Sequence, residues 1–372
     1  MKKLIYVFSN INNSLGFEWL AKYIDKSRYD TLWVFLNPGE GALQKKLREW
    51  GLRVIVINYH GKRDLIPAIY RLIRLFRKEK PDIVHAHLFE GSLAAMIAAW
   101  TCRVPQRIYT RHHAYFHHSD HPGAVKYDRL INWMSTHIIA VSRAVANVLV
   151  NLESAPESKI YIVHHGFELD QFKHSGISKE RVDRLAGEYN PHNKRPVVGV
   201  ISRYIKWKGL QFIIPAFKEV LEVYPDALLI LANAKGTYKS KVQKLLSDLP
   251  SSSYIEIEFE NDIFALYQLF DVFVHTPIRE DAEAFGQIYV ETMAAGICLV
   301  GTLAGVAPDL LRHKENAWVV PFSDQAAIKE GIITLLGDKE LTSSIVQNAF
   351  QSVQQEFTVE SMINNLEKIY AQ

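Results

Sequence analysis

The chain has 372 residues, of which 48% are hydrophobic and 22% are charged, and it carries a formal net charge of +3 with only two cysteines. Such a length exceeds what one core usually organises and predicts two domains. The composition excludes a long disordered region, a disulfide framework and a thiolate zinc site, and so small a positive excess argues against a nucleic-acid partner.

The N-terminal residues 1–9 fit a first buried strand better than a signal peptide, because their apolar run is short. No apolar run reaches the ~20 residues that a membrane helix requires. The two cysteines, Cys102 and Cys298, fall in different halves of the chain, which is typical of a reducing compartment. We therefore expect a cytoplasmic protein, with peripheral attachment to the inner face of the membrane as the alternative.

Apolar strand candidates alternate with helical stretches along both halves of the chain. In the first half they are residues 3–9, 31–37, 52–59, 82–88, 107–111, 137–142 and 159–164. After a linker-like segment at 190–196 they are residues 196–202, 227–233, 254–259, 272–276, 297–302 and 317–321, followed by helices at about 324–336 and 359–371. This pattern predicts an α/β protein with two doubly wound sheets, which we divide into domains 1–185 and 186–372.

A basic amphipathic helix is predicted at 70–80, where Arg74, Arg77 and Lys78 accompany apolar residues. One interpretation is an ordinary solvated helix face. The other is a surface that rests on anionic lipid headgroups and receives a lipid-linked acceptor. The sequence favours neither.

A group of histidines follows the strand candidate at 107–111. Its members are His112, His113, His117, His118 and His121. The i, i+4 spacing of His113 and His117 would suit a metal, but Asp120 is the only acid close in sequence and no ligand set is completed. We therefore interpret all of them except His112 as solvated or hydrogen-bonded loop residues and expect no metal.

A basic loop follows the apolar strand candidate at 196–201. It presents Arg203, Lys206 and Lys208, then Gly209 and a helix predicted at 210–223. Taken alone, the loop is typical of a solvated basic turn. Cations at the carboxyl end of a parallel strand would also neutralise a diphosphate, and the next motif favours that interpretation.

The segment 272–300 reads as strand, loop, helix and strand, with Glu283 in the loop and Glu291 in the helix. Gly286 stands at the start of the helix, where the backbone amides around Phe285 and Gln287 favour an anion. Glu291 could accept hydrogen bonds from the two hydroxyls of a ribose, and Glu283 from those of a sugar. The two acids would then bind opposite ends of one nucleotide-sugar ligand.

Glu283 and Glu291 could instead be the acid and base of a glycosidase. Eight helical residues span about 12 Å, whereas glycosidase carboxylates lie roughly 5 to 9.5 Å apart. This comparison leans against a hydrolase. A third interpretation, two solvated surface acids, is disfavoured by the neighbouring Phe285 and Gly286.

These motifs resemble the Glu-x7-Glu signature and the strand, Arg, Lys-Gly element of the retaining, nucleotide-sugar-dependent glycosyltransferases of family 4. The resemblance implies the GT-B fold, in which two Rossmann-like domains face each other across a cleft, the first binding the acceptor and the second the donor. It implies that Arg203 and Lys208 hold the donor diphosphate. The final helix of GT-B enzymes often crosses back to the first domain, as residues 357–370 could do here.

The first half both matches and departs from this family. Residues 81–87 look like its strand that carries histidines to the cleft, and 138–142 and 163–170 also match, although His165 replaces the more usual Asn. Of the glycine-rich turn after the first strand, here 9–16, only Gly16 remains to admit the donor phosphate. The resemblance places His112 at the cleft, in contact with the donor sugar or the reacting centre.

The resemblance implies a retaining hexosyltransferase that transfers a sugar from a nucleoside diphosphate, by default UDP, to a glycan or lipid-linked acceptor of a cell-surface polysaccharide or lipopolysaccharide. The family is generally metal-independent, so we expect no cofactor. Arg203, Lys208 and the helix start would stabilise the departing diphosphate while Glu283 orients the sugar. The alternatives are a nucleotide-sugar epimerase or hydrolase and a non-catalytic sugar-nucleotide sensor.

Overall fold

The computed structural model describes residues 1–372, apart from the side chain of His174. The chain forms two compact units: residues 1–167 together with 359–372, and residues 168–358. Among the described residues, no helix is both long enough and apolar enough to cross a membrane.

The first unit is built on a sheet of seven parallel strands with helices between them. Its strands are β1 (Lys2–Ser9), β2 (Tyr29–Asn37), β3 (Arg53–Asn58), β4 (Ile83–His87), β5 (Gln106–Arg111), β6 (His137–Ala140) and β7 (Ile160–Ile162). Its helices up to this point are α1 (Leu15–Tyr23), α2 (Ala42–Glu49), α3 (Leu65–Glu79), α4 (Phe89–Thr101), α5 (Phe116–Asp120), α6 (Val125–Met134) and α7 (Arg143–Asn151). The strand order is β3-β2-β1-β4-β5-β6-β7.

The second unit repeats this architecture with six parallel strands. Its strands are β8 (Val197–Ile201), β9 (Leu228–Ala232), β10 (Tyr254–Ile257), β11 (Val272–His275), β12 (Cys298–Gly301) and β13 (Trp318–Val319). Its helices are α8 (Lys179–Tyr189), α9 (Leu210–Val223), α10 (Lys239–Leu246), α11 (Ile263–Tyr267), α12 (Gln287–Ala294), α13 (Ala307–Leu310), α14 (Gln325–Gly337) and α15 (Lys339–Glu356). The strand order is β10-β9-β8-β11-β12-β13.

All thirteen strands coincide with predicted segments, and the prediction of two doubly wound sheets is confirmed. The strands are predictable because each is a short, almost entirely apolar run that is buried on both faces of a parallel sheet. In each sheet the strand order reverses once, between β1 and β4 and between β8 and β11. Such a reversal opens a crevice at the carboxyl ends of the two strands, which is where doubly wound sheets bind ligands.

The boundary between the units differs from the predicted division at 185/186, which falls inside the second unit. The boundary differs because α8 packs against α11, a helix of the second unit. Nε of Arg181 in α8 donates to Oδ2 of Asp262, just before α11, at 2.8 Å and links the two helices. The linker-like segment 190–196 is a turn after this helix, closed by the Asn190 side chain, which accepts from Lys194 N at 2.8 Å.

The last helix, α16 (Val359–Ala371), belongs to the first unit, where it packs against α1. Tyr370 is fully buried there, and its hydroxyl lies 2.6 Å from Nδ1 of His85 and 3.1 Å from the hydroxyl of Tyr6. Arg28 adds an ion pair of 2.6 Å to Glu367. The end of the chain therefore completes the core of the first unit.

Candidate functional site

The crevice of the second sheet carries the basic loop that follows β8. Arg203 is exposed beyond the strand end, and Lys208 is followed by Gly209, which has a positive φ of 82°. A Cβ at Gly209 would lie 1.9 Å from the carbonyl oxygen of Thr276, at the end of β11. Glycine is therefore required for the two strand ends to approach, and this approach brings Lys208 to the residues that follow β11.

Lys208 meets Glu283 and His275 in a mostly buried cluster. The Lys208 ammonium donates a short hydrogen bond to Oε1 of Glu283, and Nε2 of His275 lies 3.2 Å from the same oxygen. Because a carboxylate only accepts, Nε2 of His275 carries the proton. The sequence analysis assigned Lys208 to the donor diphosphate and Glu283 to the sugar, and it did not predict that the two side chains meet. It also missed His275, although a polar residue ending an apolar strand was visible.

The electrostatics of this cluster hold Glu283 ionised. Burial raises the pKa of Glu283, but the charge of Lys208 and the hydrogen bond from His275 outweigh it and lower the pKa to about 2. Burial also lowers the pKa of His275, although its hydrogen bond to Glu283 opposes this shift. Glu283 is therefore an acceptor of hydrogen bonds at neutral pH and has no proton to donate.

The loop that carries Glu283 leads into α12 through Gly286, whose φ is also 82°. A Cβ at Gly286 would lie 2.8 Å from the ring of Tyr289. Gly305 packs directly against this loop, and a Cβ there would lie 2.6 Å from the carbonyl oxygen of Phe285. Gly305 is a structural requirement that the sequence motif did not reveal.

The residues at the start of α12 differ in what they can offer a ligand. Gln287 is exposed in the first turn, where backbone amides have no intrahelical acceptor. The Phe285 ring is buried against Phe357 at 6.1 Å, and its carbonyl accepts from Val306 N at 2.8 Å. Any contact of Phe285 with a ligand therefore comes from its backbone and not from its ring.

Glu291 lies in the second turn of α12, where the Tyr267 hydroxyl donates to its Oε2 at 2.8 Å. Burial raises the pKa of Glu291 to about 7, and the hydrogen bond from Tyr267 only partly offsets this. The two glutamates of the motif thus have opposite electrostatic settings. Glu283 is paired with the cation of Lys208, whereas Glu291 accepts from the Tyr267 hydroxyl alone. The remaining acceptor positions of the Glu291 carboxylate suit hydroxyl donors of a ligand.

The first unit holds the other two predicted site residues. His112 follows β5, with its Nε2 at 3.1 Å from Nδ1 of His87, and its ring is stacked on that of His165 at 5.5 Å. Burial, with a contribution from these two neighbours, lowers the pKa of His112 well below its usual range. His112 is therefore neutral, and one nitrogen of the His87–His112 contact must carry the proton.

Gly16 is the second residue of α1, two positions after the N-cap Ser14, whose hydroxyl accepts from Phe17 N at 3.4 Å. Its backbone does not need glycine, because a Cβ would meet only Ser14 Oγ, at 4.0 Å. What the glycine leaves is open space beside the helix start. Its role in admitting a phosphate stays a prediction.

The neighbouring histidines are not loop residues as a group. His117 lies in α5, buried, with Nδ1 at 2.6 Å from Oδ2 of Asp128, and His113 Nε2 is 3.7 Å from Oδ1. Sequence reasoning found only Asp120, because Asp128 arrives from α6. The three side chains could hold a metal ion, but Arg111 Nη1 already lies 2.7 Å from Asp128 Oδ1 and supplies the compensating charge.

Two family models match the chain. Residues 19–171 match the model described as Glycosyltransferase Family 4, and residues 183–352 match the model described as Glycosyl transferases group 1. The chain belongs to the family 4 glycosyltransferases. The predicted family is therefore confirmed, and the fold is GT-B.

Relatives and solved structures agree with this membership. The capsular polysaccharide biosynthesis glycosyltransferase CapM of Staphylococcus aureus is 26% identical over 331 residues, which is 83% of each chain. Alpha-monoglucosyldiacylglycerol synthase of Acholeplasma laidlawii is 23% identical over 77% of this chain and 74% of its own. The crystal structure of Anabaena HepE in complex with UDP and glucose superposes with a TM-score of 0.84 at 19% identity and covers all of both chains.

Proposed function

We propose that this glycosyltransferase transfers the sugar of a UDP-sugar donor to a glycan or lipid-linked acceptor, with retention of anomeric configuration. The product would be a cell-surface polysaccharide or glycolipid. The observation that carries the proposal is the Lys208–Glu283–His275 cluster beside the start of α12, at the reversal point of the second sheet. UDP as donor is supported by the bound nucleotide of the similar Anabaena structure, and the acceptor class by the functions of the two relatives.

The donor would lie along the second unit. Arg203, Lys208 and the first amides of α12 would neutralise the diphosphate, so the charge that other enzymes recruit from a metal ion is supplied here by the protein. Glu291 would accept hydrogen bonds from the ribose hydroxyls. Glu283, ionised above a pKa of about 2, would accept from hydroxyls of the sugar and orient it.

The transfer step needs no protein nucleophile. The acceptor oxygen forms the new bond to the anomeric carbon on the face from which the diphosphate leaves, and the proton of the acceptor hydroxyl passes to the departing phosphate. Lys208 and the start of α12 stabilise the charge that develops on that phosphate. His112 is neutral, so we assign it a hydrogen bond to the sugar and not a charge interaction.

The acceptor would be bound by the first unit, at the inner face of the cytoplasmic membrane. In α3 the side chains of Arg74, Arg77 and Lys78 are exposed, while Ala68, Leu72 and Phe76 are buried, so the cations face outward together. They would bind anionic headgroups. Unchanged liposome binding after replacement of Arg74, Arg77 and Lys78 by Gln would remove this helix from the proposal.

A donor panel tests the reaction. Purified protein is incubated with nucleotide sugars, with and without a glycolipid extract, and both the thermal shift and the release of nucleoside diphosphate are measured. Stabilisation by one UDP-sugar with acceptor-dependent release supports the transferase, and the anomeric configuration of the product by NMR tests retention. Acceptor-independent conversion of the donor would favour an epimerase or hydrolase, and donor binding without any turnover would favour a sensor.

Glu283→Gln tests the role of the central carboxylate. We expect turnover to fall by about 10²–10³, a loss typical of removing one preorganised polar contact at the reacting centre. The control is Glu222→Gln on the exposed face of α9, which removes a charge away from the site. Full turnover of a folded Glu283→Gln protein would refute the role of Glu283.

A further inference from the structure

Three helices of the first unit lie side by side on one face of its sheet. α4 packs on β1, β4 and β5, with α3 and α6 as its neighbours. The outer rings of Trp100 in α4 and Trp133 in α6 are in contact, with centroids 5.5 Å apart. We call the exposed residues of α3, α4 and α6 the outer face.

The outer face carries large apolar side chains in the open. Trp133 is 62% exposed, Trp100 50% and Leu130 37%. Leu130 and Trp133 are three residues apart and therefore project from the same side of α6. On α3, Ile66 and Tyr70 are exposed in the same way. Single exposed apolar residues are ordinary, but a group of this kind marks an interaction surface.

All charged side chains of the outer face are positive. Its charged members are six cations and no carboxylate: Arg71, Arg74, Arg77, Lys78, Lys126 and Arg129. None of the three acids in these fully described helices belongs to the outer face. Asp128 is buried, and Glu79, largely buried, pairs with Lys3 at 3.2 Å and with Arg53 at 3.0 Å. Glu90, at the start of α4, is half-buried and accepts a hydrogen bond from the Asn10 side chain. A partner of this face must therefore be anionic and must also accept indole and leucine side chains.

We propose that the outer face docks on an anionic lipid bilayer, with Leu130 and Trp133 of α6 and Trp100 of α4 entering the interface. Indole rings at headgroup level with flanking Lys and Arg side chains are what a bilayer surface accommodates. The inference extends the membrane part of the proposed function, on which it rests. It adds to the cations of α3 an apolar anchor at the edge formed by α4 and α6.

A cavity of about 780 Å³ opens at the N-terminal end of α6. It lies at the reversal point of the first sheet, next to Ser9 at the end of β1 and Leu88 after β4, and Lys126 and Tyr127 of α6 line it. Because Lys126 and Tyr127 belong both to the cavity and to the outer face, a lipid-linked acceptor could enter the cavity while its chain stays in the bilayer.

Vesicle binding of the full chain tests the proposal. Sedimentation is measured with vesicles of phosphatidylcholine, with and without phosphatidylglycerol, for the wild type and for Leu130→Ser/Trp133→Ser. We expect wild-type binding only to the phosphatidylglycerol vesicles, weakened by salt, and a loss of affinity of about tenfold to a hundredfold in the double variant. The matched control is Trp50→Ser, an aromatic that is 38% exposed outside the outer face, which should bind as the wild type does.

Tryptophan emission gives a second readout that needs only a conservative change. Lipids brominated in the upper acyl chain should quench the emission of the wild type, and Trp133→Phe should remove part of that quenching. Circular dichroism establishes that each variant is folded.

Three results would overturn the inference: equal vesicle binding by the wild type and the double variant, an equal loss in Trp50→Ser, or a wild-type dimer that binds no vesicles and becomes monomeric in the double variant. The last result would assign the face to a second copy of the chain. The proposed function fails separately, since a protein that binds vesicles but converts no donor refutes the transferase, and one that transfers sugar without binding vesicles refutes only the docking face.

Discussion

Glu291→Gln should separate the stability of the second unit from its ligand binding. Glu291 is held in α12 with the Tyr267 hydroxyl as its donor, and burial raises its pKa from 4.5 to about 7. A glutamine keeps the shape and can still accept from Tyr267, but it has no charge to bury. The variant should therefore be more stable than the wild type at alkaline pH and should bind the ribose of the donor more weakly.

The magnitude follows from the two pKa values. The unfolded chain releases the Glu291 proton near pH 4.5, whereas the folded protein releases it near pH 7. Folding thus favours the protonated form, and the wild type loses stability as pH rises between these values. Linkage at 1.36 kcal/mol per pKa unit gives an additional cost to the wild type of about 2.5 kcal/mol between pH 5 and pH 8. For a unit of this size that corresponds to roughly 5–10 °C in Tm.

The assay is the difference in Tm between Glu291→Gln and the wild type, measured across this pH range without ligand. The difference should be small at pH 5 and grow to its full value near pH 8. Glu222→Gln, which removes an exposed carboxylate of α9, should show no such growth. A Tm difference that stays constant with pH would show that Glu291 is ionised in the folded protein without cost, and the argument from its burial would fall.

Further predictions concern Gly209, which follows Lys208, and the buried histidines of the first unit. Gly209→Ala should destabilise the second unit by about 2–4 kcal/mol in urea unfolding, because φ is 82° and the Cβ would meet a backbone oxygen at 1.9 Å; a cost below that of an ordinary surface change would contradict this. Tyr370→Phe leaves Nδ1 of His85 unpaired in the core and should cost about 1–3 kcal/mol, measured in the same way, whereas an unchanged midpoint would refute it. Burial lowers the pKa of His85 to about 3 and of His165 to about 4, so the unfolded state takes up protons first, and stability should fall as pH drops from 6.5 towards 4; a flat stability profile over this range would count against neutral buried histidines.

The sequence was most informative where structure is local. Each buried strand is a short apolar run, and α9 was predicted at its observed bounds because its apolar residues recur with helical period. The long helix α15 was missed, since its sequence is mostly polar and only Ile345, Ala349 and Val353 reach the core, one per turn. A helix with only one apolar residue per turn is hard to distinguish from a loop by its sequence.

The residues of the candidate site also fall into two groups, those encoded in one local motif and those that only the fold brings together. Glu283, Gly286 and Glu291 could be located because a loop, a helix start and a helix turn are encoded within nine consecutive residues. His275 and Glu283 are eight positions apart, and His117 and Asp128 eleven, but both contacts depend on the path of an irregular connecting segment, which has no period to read. Lys208 reaches Glu283 across 75 positions through the order of the strands, and such a long-range pair leaves no local pattern. The roles assigned to the predicted residues remain predictions that the variants above test.

The membership of α16 in the first unit has a consequence for recombining such enzymes. The chain leaves the first unit after residue 167 and re-enters it at residue 359, so the second unit is an insertion with two junctions. A chimera that exchanges the donor half by a single crossover near the middle would import a foreign α16, and its counterpart of Tyr370 would have to fit against His85 and Tyr6. Exchanging only residues 168–358 would keep that hydrogen-bonded core with its own partners.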